Sequence, residues 1–382
     1  MKHLLFLISI ALLTACGGNR PPQSWAERLQ LSPAPDSITF RHARLIHVEQ
    51  ADGYRIVYID NPWKAGRSLH TYILVPDGGP VPQDMKTGGA TVIRTPLRRS
   101  IIFTSVHCAL IDMLGAESQV AGVADLKYIK VPFVQQGAAS GAIVDCGDGL
   151  SPVVEKIVDV GADGLLLSPF ENSGGYGQLE DIGIPIVECA EYMETSPLAR
   201  AEWMRFYGML YGEEERADSL FRVVEQNYRR LTALASTASE SPTVLADKMA
   251  GPVWYVPGGR STIGQMLGDA HCTYPWADDD HAGSLQLSFE AVLEKGGDAQ
   301  LWLLRYDAQK PLTMEQLMSE NDGYRVLAAV KGNAVYACNV TTSMFYEETP
   351  FRPDLLLQDF IGILHPTLPD LPPQRYYYRV SE

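Results

Sequence analysis

Between Ile38 and Ile93 the chain alternates apolar and polar residues in short runs, such as Tyr54-Arg55-Ile56-Val57-Tyr58 and Leu69-His70-Thr71-Tyr72-Ile73-Leu74-Val75. Turn residues divide the runs, among them Asp60-Asn61-Pro62 and Pro76-Asp77-Gly78-Gly79. This pattern predicts antiparallel strands with one solvated face. From Arg99 onward the texture changes. Ile101–Thr104, Val120–Val123, Gly164–Ser168 and Ile184–Glu188 are short, nearly unbroken apolar runs, as expected of strands covered on both faces. Helical segments lie between them: Ala109–Leu114 closes on Gly115 as a C-cap, and another helix is expected to open at Pro152.

Between Ser196 and Ser236 the sequence turns strongly helical. One helix starts at Pro197 and stops at Gly212; the next opens on Glu213-Glu214-Glu215, three acids at the positive end of its dipole. Ala217, Leu220, Phe221, Val224, Tyr228, Leu231 and Leu234 follow i, i+3, i+4, i+7 spacing and form one apolar face. Six turns of such a helix run roughly 35 Å, long enough to span a two-lobed body. The strand and helix grammar then resumes, with strands at Thr243–Ala246, Trp254–Val256, Gln300–Leu304 and Ala334–Cys338. Helices are expected at Ile263–Asp269, Phe289–Lys295, Met314–Ser319 and Pro353–Leu364. The fold class is therefore α/β, with a strand-rich N-terminal extension.

The start of the chain adds an export signal. Lys2 precedes an apolar run, Leu4–Leu13, too short to span a bilayer, and Leu13-Thr14-Ala15-Cys16 resembles the bacterial lipobox, in which the cysteine is lipidated. The expected organisation is a signal peptide at 1–15, a tether at 16–37, the strand-rich segment at 38–98, a first α/β lobe at 99–195, a helical connector at 196–236 and a second lobe at 237–382. A formal charge of −15 with no basic block excludes a nucleic-acid partner. Five cysteines follow Cys16 (Cys108, Cys146, Cys189, Cys272 and Cys338), an odd number without zinc-like spacing, and they predict neither a metal site nor a defined disulfide. There is no GxSxG, HExxH, Walker A or GxGxxG motif.

Arg99-Ser100-Ile101-Ile102-Phe103-Thr104-Ser105, then Met113-Leu114-Gly115-Ala116 and Val120-Ala121-Gly122-Val123, resemble the opening of the binding proteins for siderophores, haem and cobalamin that serve ABC importers. The resemblance continues in order through Val153–Ile157 and Gly161–Leu167, where Ala162 stands in place of the usual proline, then Leu179–Val187 and Tyr211–Ala217. In the second half, Gly258–Ser261, Ser288-Phe289-Glu290, Val330–Tyr336 and Leu364-His365-Pro366 carry it to about residue 368. It implies two Rossmann-like α/β lobes joined by a single long backbone helix, with a metal chelate held between them. It also implies a monomer that delivers the chelate to an ABC permease dimer and is held to the membrane by its lipid. No cofactor is expected; iron or cobalt would arrive inside the ligand.

In such a fold the loops at the strand ends face the cleft. Candidate ligand contacts are Trp276, Tyr255 and Arg260, followed by Tyr128, Tyr176, His107 and Tyr346. Aromatics suit a large flat ligand, and the Arg260 guanidinium suits carboxylate or catecholate oxygens. Asp278-Asp279-Asp280-His281 reads as a solvated loop rather than a hard-metal cluster. The resemblance also implies that Glu155 and Glu290, at matching helix starts in the two lobes, dock onto permease arginines; each equally suits the positive end of its own helix. Two rival readings are an enzyme or cofactor-chaperone using His107 or Cys108, and a surface scavenger that meets no permease.

Overall fold

The structure is a computed structural model and describes residues 40–51, 53–81, 89–171 and 175–381. The signal peptide, the lipobox and the tether lie outside the described residues.

The N-terminal sheet runs Ile46–Ala51, Tyr54–Asp60, Ser68–Pro76 and Thr91–Thr95. Its first two pairings are antiparallel, as the alternation predicts, but Ser68–Pro76 pairs with Thr91–Thr95 in parallel. Tyr72 through Val75 are buried without a break, so this strand has no solvated face over that stretch.

The first lobe is built on a five-stranded, fully parallel sheet in the order Ile186–Glu188, Gly164–Leu167, Ser100–Ile102, Val120–Val123, Val144–Asp145. Successive strand residues point to opposite faces. Ile102, Val123, Leu166 and Val187 accordingly join the main core, while Ile101, Leu165 and Leu167 pack with Ile157 and Val160 on the other side. The helix expected at Pro152 begins at Val154; Pro152 instead pairs with Gly147 in a two-stranded hairpin.

The connector is two short helices, Pro197–Glu202 and Met204–Tyr211, with a break at Trp203 that periodicity does not reveal. Gly212 caps the second with φ of 73°, and the backbone helix follows at Glu214–Ala235. Its apolar face is buried as predicted except at the end, where Ala235 rather than Leu234 turns inward. Polar bonds tie this helix to the N-terminal sheet, the connector and the second lobe. Arg55 of the N-terminal sheet meets Glu214 at 2.7 Å, Arg205 of the connector meets Asp218 at 2.6 Å, and Tyr228 donates to Asp269 of the second lobe at 2.6 Å.

The second lobe carries the sheet Val244–Ala246, Leu301–Tyr306, Val335–Asn339, Tyr377–Arg379, parallel except for its last strand. The strand expected at Trp254 is not part of it. Val253–Pro257 forms the centre of a separate antiparallel sheet, between Met249–Ala250 and Ser284–Leu287. The lobes meet where helix Phe345–Glu348 packs on helix Ser105–Leu114, and Lys130 Nζ donates to the Thr341 carbonyl at 2.8 Å. Among the described residues no helix is long and apolar enough to cross a membrane, and the five body cysteines are free thiols.

Candidate functional site

Parallel α/β sheets bind ligands outside the carboxyl ends of their strands. In the first lobe those ends are Phe103-Thr104, Asp125 and Ser168, and they surround a cleft of about 530 Å³ walled by Leu150, Phe170 and Tyr176. In the second lobe the corresponding cleft is about 630 Å³, with Asp247, Arg305, Tyr255, Tyr324 and Tyr346 in its walls. Both volumes fall within the ~300–1,000 Å³ usual for small-molecule sites. A smaller recess of about 170 Å³ lies between the lobes, touching Val106 of the first, Arg200 of the connector, and Met266, Arg305 and Tyr346 of the second. Arg305 and Tyr346 therefore belong to both the second-lobe cleft and the recess.

Asp247 follows the strand Val244–Ala246 directly and is held at φ of 57°, a left-handed conformation unusual for a non-glycine residue. Such strain costs about 1–3 kcal/mol and persists only where neighbours over-determine it. Here Asp247 N donates to the Leu303 carbonyl at 2.8 Å and Trp302 Nε1 donates to the Asp247 carbonyl at 2.6 Å. The Asp247 carboxylate accepts two parallel bonds from Arg305, Nε at 2.8 Å and Nη2 at 2.5 Å. Burial works against the Arg305 charge, and the Asp247 carboxylate more than restores it, so the guanidinium is held firmly protonated. The Phe345 ring lies 5.6 Å beneath it.

The structure brings Tyr255 and Tyr346 onto one cleft, and Tyr176 onto the cleft of the opposite lobe. Tyr176 also donates to Glu188 at 2.7 Å, and Glu188 lies 2.9 Å from His70 of the N-terminal sheet. The other expected contacts lie elsewhere. Trp276 is only 5% exposed, packs in the second-lobe core against Tyr274, 5.6 Å away, and beside Gly296, and lines none of these clefts. His107 is wholly buried, its Nε2 3.1 Å from Glu191 and its Nδ1 2.8 Å from Thr104, and it lines none of these clefts. Cys108 is buried as well, which pushes its thiol pKa up and away from thiolate chemistry. Arg260 stands in solvent 3.4 Å from Asp280, an ordinary surface ion pair. Tyr128 is exposed beneath the Lys127 ammonium, 4.7 Å from its ring, and lines none of these clefts.

Asp279 binds the backbone N–H and the ring of His281, each at 2.9 Å, in an exposed loop, and no group of metal-ligating side chains occurs among the described residues. Glu155 and Glu290 are both exposed in the first turns of their helices. Glu290 accepts from its own backbone N–H and from Ser288, which lowers its pKa.

Residue reasoning missed Asp247, Arg200 and Arg305. For Arg305 a signal exists: a charge standing inside the otherwise apolar strand Leu301-Trp302-Leu303-Leu304-Arg305-Tyr306.

The sequence from 103 to 340, well over half the chain, matches the family model described as periplasmic binding protein. The chain belongs to the periplasmic binding protein family. An uncharacterized lipoprotein of Methanocaldococcus jannaschii is 25% identical over 285 residues, 72% of this chain and 67% of the relative. Among solved structures, this periplasmic binding protein is similar in fold to a periplasmic heme binding protein of Pseudomonas aeruginosa, with TM-score 0.57 and 16% identity over 75% of this chain and 98% of the other. It is also similar to an ABC-type Fe3+-hydroxamate transport system protein of Saccharomonospora viridis, with TM-score 0.54 and 20% identity over 71% and 94% of the two chains. Two α/β lobes are the architecture these folds share.

Proposed function

We propose that this chain is the substrate-binding component of an ABC importer, taking a metal chelate of the siderophore, haem or cobalamin kind between its lobes and delivering it to a permease. The observation that carries this reading is a cleft at the strand ends of each lobe, together with a recess lined by both lobes and the connector that adjoins the second-lobe cleft. The heme-binding and Fe3+-hydroxamate transport proteins that share its fold support the ligand class. The reading is of a binder rather than an enzyme: His107 and Cys108, the groups catalysis would use, are closed off from solvent. Glu155 and Glu290 stay available at the surface for permease docking. Lipidation at Cys16 and a periplasmic location at a membrane surface complete the proposal, supported by the lipobox and by the lipoprotein name of the relative.

The test is direct. Absorbance, metal analysis and mass spectrometry of material that copurifies should reveal a chelate, and haemin, cyanocobalamin or ferrichrome should quench the protein's tryptophan fluorescence saturably. A protein that copurifies with no chelate and responds to none of the three would end the reading.

A further inference from the structure

The recess between the lobes has an unusual charge balance. None of the residues that line it is acidic, and two are arginines, Arg200 from the connector and Arg305 from the second lobe. Arg200 Nε is shut away from solvent and has no hydrogen-bond partner among the described residues. A buried donor left unpaired costs free energy, the more so on a charged group. Burial lowers the Arg200 pKa, and the charges of Glu191 and Tyr207 only partly oppose this. Arg305 has the opposite history: Asp247 takes its Nε and Nη2 donors, which fixes the plane of the guanidinium and leaves the Nη1 donors for another acceptor. Asp247 offsets the Arg305 charge and Glu191 acts on Arg200, yet both guanidiniums keep donors unfilled beside a recess that has no acidic lining residue.

We propose that this recess is an oxyanion subsite: a carboxylate or phosphate group of the ligand seats between Arg200 and Arg305, so that the ligand is an anionic chelate. The volumes agree with this division. A recess of about 170 Å³ admits one group, and the adjoining cleft of about 630 Å³, sharing Arg305 and Tyr346 with it, admits the body of the ligand. A planar guanidinium with fixed orientation recognises oxyanions by paired N–H donors, which a lysine in its place would not do. Asp247 is then a positioning residue, and its strained backbone serves the aim of Arg305. The inference rests on the reading that the interlobe cleft holds the ligand.

The experiment uses the full chain in detergent and follows arginine Nε–Hε resonances by NMR during titration with inorganic phosphate and, separately, with citrate; the stronger response distinguishes phosphate from carboxylate recognition. Saturable shifts at Arg200 and Arg305 are expected with at least one anion, together with at least a ten-fold weaker response in Arg200→Gln and partial recovery in Arg200→Lys. Circular dichroism and melting curves establish that each variant is folded. The proposal is overturned if neither anion gives saturable shifts at both resonances, or if folded Arg200→Gln responds as the wild type does. Tight binding of haemin, cyanocobalamin or ferrichrome without any anion response would remove the subsite and leave the cleft reading intact. Saturation by phosphate or citrate in a protein that binds none of the three chelates would do the reverse.

Discussion

His107 Nε2 stands 3.1 Å from Glu191 Oε1, and water reaches neither side chain. Tyr207 donates to the other Glu191 oxygen at 3.0 Å. Burial disfavours the His107 charge, but Cys189 and Glu191 beside it outweigh that penalty and raise its pKa from 6.5 to about 10. Burial likewise works against Glu191, yet the neighbouring His107 leaves its pKa below 4.5. A raised histidine pKa contributes stability that is fully present below 6.5 and lost as pH climbs through about 10. A lowered carboxylate pKa contributes stability present above 4.5 and lost as pH falls through the folded value. The pair therefore stabilises the fold most between pH 4.5 and 6.5. Urea melts across pH should show this, and Glu191→Gln should lose roughly 3–5 kcal/mol in that window by stranding a buried charge. A melt profile unaltered by the substitution would show that the pair is not ionised.

Tyr255→Ala and Tyr346→Ala should each weaken chelate binding by about 1–3 kcal/mol while leaving the melting temperature close to wild type, because both rings are partly exposed at 40% and 49%. Trp276→Ala should behave oppositely, destabilising the fold by about 3–5 kcal/mol through the cavity it leaves. Fluorescence titration beside thermal melts separates the two outcomes.

These contrasts show what is legible in a sequence. The backbone helix was, because Ala217, Leu220, Phe221, Val224, Tyr228 and Leu231 repeat at helical spacing and Gly212 marks where the preceding helix must end. The parallel strands were too, since unbroken apolar runs belong to sheets covered on both faces. The strand at Trp254 was legible but its sheet was not, because a short apolar run reads alike in a parallel sheet and an antiparallel one; the tight return at Gly251, φ of 60°, decides it. Pro152 was misplaced because proline suits a hairpin edge as well as a first helical turn. In the site, aromatic identity does not distinguish a core ring such as Trp276 from a cleft ring such as Tyr346. Arg200 and Arg305 lie far apart along the chain, and only folding brings them to one recess.

Cys16→Ser should leave the body folded and release it from the membrane fraction, as measured by fractionation and blotting. Retention of that variant at wild-type levels would remove the lipid anchor.

Glu155→Arg combined with Glu290→Arg should abolish uptake while chelate affinity on the isolated protein stays within a few-fold of wild type, because reversing both charges replaces attraction to permease arginines with repulsion. Uptake assays in cells producing normal amounts of the double variant check this. Normal transport would confine both glutamates to complementing their own helices.

Glu202 accepts the backbone N–H groups of Arg41, His42 and Ala43 at 2.6–3.0 Å, and Glu194 accepts those of Arg44 and Leu45 at 2.9 Å. Both carboxylates are buried at the connector, where Trp203 Nε1 and Arg205 brace them. A pull along residues 41–45 therefore enters the molecule where the first lobe runs into the connector, and two buried carboxylates take the load instead of the sheet of either lobe.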